Sequence, residues 1–166
     1  MTSRRMDKMK LNKVVSGGQT GVDRGALDAA IETGISHGGW CPKGRLAEDG
    51  GIDSKYDLKE TESSEASERT KLNIRDSDGT LVILPRLGVN ITDGTGLTLK
   101  EVQEKKKPYF VFFLFSPHQD VTPILNWLEG EKIKALNIAG PRESKSPGIY
   151  LKSVEFLKQL FKALDD

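Results

Sequence analysis

The run Lys13-Val14-Val15-Ser16-Gly17-Gly18-Gln19-Thr20-Gly21-Val22 decides the class of this chain. Lys13 to Ser16 reads as a short strand that stops at Gly17-Gly18. Val22, Ala26 and Ala30, with Leu27 and Ile31, then recur at four-residue spacing, which puts them on one face of a helix. That face is mostly alanine, so the helix should lie close against a sheet, and Gly34 suits its C-terminus. The alternation continues outward. Strands are expected at Ile35 to Trp40, Thr80 to Leu84, Tyr109 to Phe115 and Ile133 to Ala139, and helices at Ser67 to Arg75, Leu97 to Lys107, Val121 to Leu128 and Val154 to Leu164. Five strands separated by helices imply an α/β domain of three layers, with a mostly parallel central sheet and helices on both faces. Tyr109 to Phe115 is continuously apolar, as expected of a central parallel strand buried on both sides. Cys41 to Glu65 has no strong period and reads as a long loop, a feature that is uncommon in compact domains and often functional.

The chain has 166 residues, enough for one domain with a proper core. Residues 1–10 read as a flexible N-terminal extension and 11–166 as a single domain. Four bases and one acid fall in the first ten residues, which leaves 21 bases and 23 acids for the rest. No positive field therefore draws the folded body onto nucleic acid or an anionic membrane. The basic start is not followed by an apolar stretch, and the longest apolar run has seven residues, so neither a secretory signal nor a membrane helix is expected. A single cysteine, Cys41, fits a cytoplasmic location and is expected to be an inert small hydrophobe.

Ligands of such folds lie beyond the C-terminal ends of the strands. Gly17, Gly18, Gln19, Thr20 and Gly21 form one strand-to-helix turn there, and Asp23 and Arg24 in the first helical turn can reach the same mouth. Glycine amides and the helix N-terminus behind them favour an anion. Thr92 to Thr98 is a second glycine-rich entry to a helix, with Gly94, Thr95, Gly96 and Thr98 as candidates. Two such loops in one sheet suggest a cradle for phosphate or another oxyanion, with the anion in the mouth between Gly18 and Gly94. Arg142, after the last strand, could fork onto it or pair with Glu143; Ser144 adjoins them. Asp76 and Asp78, with Arg75, could bind hydroxyls or amino groups or cap a turn. Trp40 could stack on a planar ring, and Lys43 and Arg45 could ligate or be solvated. His37 and His118 lack nucleophile partners, and no His/Cys cluster has zinc spacing, so no metal site is expected.

Ser16-Gly17-Gly18-Gln19-Thr20-Gly21-Val22-Asp23-Arg24, His37-Gly38-Gly39-Trp40-Cys41-Pro42-Lys43-Gly44-Arg45, Arg75-Asp76-Ser77-Asp78-Gly79-Thr80 and Ala139-Gly140-Pro141-Arg142-Glu143-Ser144-Lys145 occur in this order. Together, over about residues 12 to 163, they resemble the bacterial molybdenum carrier family. That family is also described as circularly permuted YpsA-related, within the SLOG group of Rossmann-like nucleotide-binding domains. The resemblance implies a Rossmann-like fold and a homo-oligomer, a dimer or tetramer. It also implies molybdenum cofactor (molybdopterin) as a cargo bound without alteration, or a nucleotide-derived ligand. The related Lonely-guy enzymes hydrolyse the N-glycosidic bond of nucleoside monophosphates through a loop reading Pro-Gly-Gly-x-Gly-Thr-x-x-Glu. Here the similar stretch is Asp93-Gly94-Thr95-Gly96-Leu97-Thr98 with Glu101 nearby, and no Pro-Gly-Gly precedes it.

The resulting expectation is a binder of an anionic, phosphate-bearing small molecule rather than an enzyme. Gly17 to Gly21 and Gly94 to Thr98 would hold the anion, Arg142 would neutralise it, and Asp76 or Asp78 would take ring or sugar donors. The alternative is a nucleotide N-glycosidase in which Asp23 or Glu101 is catalytic. A third reading is a protein-interaction module with a vestigial pocket.

Overall fold

The computed structural model describes residues 10–88, 94–117 and 119–165. The expected extension, Thr92, Asp93 and His118 therefore lie outside the described residues, except for Lys10. Five parallel strands form the central sheet: β1 (Lys13–Val15), β2 (His37–Gly38), β7 (Gly79–Leu84), β8 (Tyr109–Phe113) and β9 (Ala135–Ala139). Their spatial order is β2-β1-β9-β7-β8. If β9 is counted first, this becomes 3-2-1-4-5, the strand order of a doubly wound Rossmann sheet. The fold is thus Rossmann-like with its first strand moved to the end of the chain.

Helices α1 (Val22–Thr33), α4 (Thr122–Gly130) and α5 (Ile149–Asp165) share one hydrophobic core with Val14, Leu81, Ile83, Phe112, Leu136 and Ile138 of the sheet. α1 is alanine-rich because it lies close to its neighbours: a Cβ on Gly25 would stand 3.0 Å from Cβ of Ser153 on α5. Gly34 ends α1 in a left-handed conformation, with its N–H turned back on the carbonyls of Ala30 and Ile31. Helices α2 (Ala66–Arg75) and α3 (Gly94–Glu104) pack together on the opposite side. The strand pleat turns Thr80 and Asn137 toward that side, where the Asn137 amide donates to the Thr80 hydroxyl at 3.2 Å.

Three expectations change. Tyr109 to Phe115 is not a central strand, because β8 is an edge of the sheet and β9 lies at its centre. The apolarity of β8 is used by aromatic packing instead: Phe112 stacks on Phe156 at 4.2 Å and Phe110 meets Trp127 at 5.7 Å. Ile35 to Trp40 is not one strand. Gly39, at φ 131°, turns the chain so that only His37–Gly38 joins the main sheet, and β3 (Trp40–Cys41) pairs with β6 (Lys59–Glu60). The stretch from Cys41 to Glu65 is not a structureless loop. It carries that parallel pair and the hairpin of β4 (Leu46–Ala47) and β5 (Gly50–Gly51), and it buries Cys41, Ile52, Tyr56 and Leu58 with Leu27 as a second small core. Arg45 holds this segment from inside by donating to the carbonyls of Ile52, Asp53, Tyr56 and Leu58. It is neither a solvated nor a ligand-facing cation.

The centre of the sheet has little room at Gly140. A Cβ there would lie 2.4 Å from the Ile83 carbonyl oxygen and 2.6 Å from Cγ2 of Val22. Gly140→Ala is expected to lower stability by about 1–3 kcal/mol through overpacking. Gly130→Ala, where a Cβ meets nothing within 4 Å, should raise it by about 0.5 kcal/mol. Urea unfolding of the two variants checks the contrast.

Candidate functional site

A cavity of about 210 Å³ opens at the C-terminal ends of β1, β9 and β7, on the side covered by α2 and α3. This is the switch point of the sheet, where chain direction diverges between β9 and β7. Each wall comes from a different part of the sequence.

The first wall is the turn after β1, which contributes Gly17, Gln19 and Asp23. Asp23 is 7% exposed. Burial pushes its carboxyl up to about 6, against Arg69, the amide of Gln19, Arg24 and the amide of Gly140, which pull it down. The turn is folded largely upon itself. The Gly18 amide donates to Ser16 Oγ at 3.3 Å, the Thr20 amide to Gln19 Oε1 at 3.0 Å, and the Val22 amide to the Pro141 carbonyl at 3.2 Å. Gly18 and Gly21 both have positive φ, and neither lines the cavity. A Cβ on Gly18 would meet Leu58 at 2.7 Å, and one on Gly21 would meet the Pro141 carbonyl at 2.3 Å. Of the expected cradle of Gly17 to Gly21, Gly17 and Gln19 therefore reach the cavity. The glycines at 18 and 21 serve loop packing.

The second wall is the N-terminus of α3, with Gly94, Thr95 and Thr98. First-turn amides of a helix have no intrahelical acceptor, and they give this end a partial positive charge. The Thr98 hydroxyl donates to the Gly94 carbonyl at 3.0 Å. Thr95 is 4% exposed, and its hydroxyl has no partner among the described residues. Gly96 lies in the same turn without lining the cavity, and Glu101, also buried, sits farther along α3 away from it.

The third wall is the end of β9, Asn137 to Gly140, with Arg142 at the rim. Arg142 does not pair with Glu143. It stands 3.6 Å from Glu48 on the β4–β5 hairpin, while Glu143 accepts the amides of Gly148 and Tyr150 at the start of α5. Glu48 also receives the hydroxyls of Thr20 and Ser144. Partial burial raises its carboxyl, but those bonds and the Arg142 charge outweigh burial and hold it below the usual range.

The fourth wall was not foreseen. Ala66, Arg69, Thr70 and Asn73 of α2 follow one another at helical spacing and all face the cavity. Arg69 is 8% exposed and donates to the Gly17 carbonyl at 3.0 Å. Asn73 holds both the N–H and the carbonyl of Trp40. The signal in the sequence is that the inward stripe of this helix is polar, where a core helix would be apolar.

The remaining candidates lie elsewhere. Arg24 turns away from the cavity, to the Gly18 carbonyl and to Asp49 at 3.0 Å. With Thr20, Gly21, Glu143 and Ser144 it borders an open groove of about 950 Å³, in which Asp28 accepts both the Tyr56 and Tyr150 hydroxyls. Trp40 donates to Asp76, which also pairs with Arg75, and both Trp40 and Asp76 line a separate pocket of about 120 Å³. Asp78 accepts the amides of Lys134 and Ala135, so it fixes the start of β9. Lys43 is exposed, and Cys41 is buried, with its thiol raised by that burial. No group of three or more His, Cys, Asp or Glu is placed to hold a metal among the described residues.

The profile of the circularly permutated YpsA SLOG family matches residues 14–161. The crystal structure of a "putative molybdenum carrier protein" from Syntrophus aciditrophicus SB is 42% identical and superposes with a TM-score of 0.86, covering 95% of this chain and 98% of that one. No curated protein matches the chain.

The position of Asp23 has a measurable consequence. Its carboxyl titrates higher in the native state than in the unfolded chain, so its stabilising contribution is full at low pH and is lost as pH rises through about 6. Between pH 4 and 7 the stability of the wild type should fall relative to Asp23→Asn by on the order of 3 kcal/mol. Urea unfolding of both proteins across that range measures it. A constant difference would mean that the native carboxyl titrates normally.

Proposed function

This chain belongs to the circularly permutated YpsA SLOG family, and on that premise we propose that its switch-point cavity binds the anionic end of a phosphate-bearing small molecule. The observation that carries this reading is the meeting of two positive features on one small cavity: the buried Arg69 guanidinium and the amide-bearing N-terminus of α3. A helix N-terminus attracts anions, and a buried guanidinium strengthens that attraction where water is scarce. The volume, about 210 Å³, lies below the range of about 300 Å³ and more that encloses a whole drug-sized ligand. A phosphate and its adjoining carbons fit inside, and a ring system would stand at the mouth. Molybdenum cofactor has this shape, and the name of the Syntrophus structure makes it the first candidate for cargo; a nucleotide derivative is the second.

A glycosidase reading draws on Asp23, whose carboxyl is raised toward the range useful for acid–base work. Of the two acids considered, Asp23 lines the cavity and Glu101 does not. We further read the chain as a cytoplasmic protein that self-associates as a dimer or tetramer and has no nucleic-acid partner. Its nearly balanced charge is in keeping with that. Among the described residues no helix is long and apolar enough to cross a membrane.

Arg69→Lys keeps the charge and loses the planar fork. It should weaken binding of phosphate monoesters and of isolated molybdenum cofactor by about 1.5–3 kcal/mol, as for a hydrogen bond to a charged group. Calorimetry on the variant, with the apo melting temperature as a folding control, tests this; unchanged affinity would remove Arg69 from the site. Incubation with nucleoside monophosphates should release no free base. Release that vanishes in Asp23→Asn would replace the carrier with the glycosidase.

A further inference from the structure

A carboxylate in a cavity meant for an anion is a contradiction that the ligand has to resolve. Asp23 lines the same space as Arg69 and the first turn of α3. The charges around it come from every side. Arg69 faces it from α2, and Arg24 follows it on α1. Arg142 stands at the rim after β9, already close to Glu48. α3 offers the neutral Thr95 and Thr98, with Glu101 farther along and off the lining. Arg69 and ionised Asp23 offset one another, so a doubly charged oxyanion entering beside them meets a like charge at short range in a poorly solvated space.

The conflict disappears if one proton lies between the carboxylate and the ligand. A phosphate O–H can donate to Asp23, which converts repulsion into a short charge-assisted hydrogen bond. Other donors on the walls, among them the Thr95 hydroxyl and Arg69, can then serve the remaining oxygens. We infer that Asp23 makes this cavity selective for an oxyanion that can carry a proton near neutral pH, a phosphate monoester or inorganic phosphate, over fully ionised oxyanions such as sulfate and molybdate. This rests on the anion-binding reading above and adds to it the chemical class of the anion. No bond to phosphorus forms or breaks; the proton comes from the monoanionic ligand or from solvent and is shared between two oxygens. Burial already favours a protonated Asp23, which acts in the same direction. Molybdenum would then enter as part of a phosphorylated cofactor and not as bare molybdate.

Three probes decide it: inorganic phosphate, sulfate and molybdate, titrated into the full-length protein by calorimetry at pH 7.5 and pH 5. Phosphate is expected to bind at least tenfold more tightly than the other two at pH 7.5. At pH 5 sulfate should gain at least tenfold, and at pH 7.5 its binding should take up close to one proton per sulfate, an uptake that falls away at pH 5 where Asp23 already holds the proton, measured from the heats in buffers of different ionisation enthalpy. Asp23→Asn should bind sulfate and phosphate within about threefold of each other and show no such pH dependence for sulfate. Because proton uptake is read on the wild type, the test does not depend on the variant folding. Equal binding of phosphate and sulfate by the wild type at pH 7.5 would overturn the role of Asp23 and leave anion binding standing. Failure of all three probes at both pH values would overturn both.

Discussion

Arg69 crosses above Gly17, and the surroundings of the cavity follow from that crossing. A Cβ at residue 17 would lie 2.8 Å from the Arg69 side chain, so the turn after β1 has to leave that place empty. The guanidinium can then reach the Gly17 carbonyl and stand near Asp23. Without this cation, Asp23 would be a buried carboxylate with only Arg24 as counter-charge, a costly arrangement. Without the glycine, the Arg69 side chain would have to shift from its place across the turn. One steric vacancy thus couples a helix, a turn and the charge balance of the site.

The sheet supplies the stage for that contact. β9 stands between β1 and β7, and the loops that leave these three strands open toward the same end. Asp78 fixes the start of β9 through two amides, and Gly140 lets its far end pass under Ile83 and Val22. The β4–β5 hairpin closes the arrangement from outside, with Glu48 tying Thr20, Ser144 and Arg142 together. The rim of the cavity is therefore built partly by the segment that has no periodicity of its own.

Much of this was legible. The strand and helix alternation gave the layers, because most of the longer elements have an apolar face or run long enough to read. The glycine turns marked the correct end of the sheet. What the sequence concealed were relations between distant residues. Gly18 and Gly21 look like ligand glycines, yet one faces Leu58 and the other Pro141, a difference that appears only once the chain has folded. Arg69 was hidden for the opposite reason. It sits in a polar helix that reads as an exposed one, and only the packing of α2 over the strand ends turns its stripe inward. The aromatic run of β8 suggested a central strand because apolarity usually reports burial, yet in this edge strand only Phe112 is buried, by its stacking on α5, and Tyr109 stays exposed.

The permuted strand order has a consequence for how the molecule comes into being. The middle strand of the sheet is the last strand to be synthesised, and the strands it joins do not touch each other: β2 and β1 form one pair, β7 and β8 another. Until Ala135–Ala139 has emerged, the nascent chain holds two half-sheets without a seam, each with a bare strand edge. Contacts between β1 and β9 join residues about 120 apart in sequence, the kind of pairing that slows folding most. Assembly is therefore a late event, completed when β9 slots between two waiting edges and α5 covers it, so the edge of β1 stays open to other chains until a segment more than a hundred residues downstream has been made.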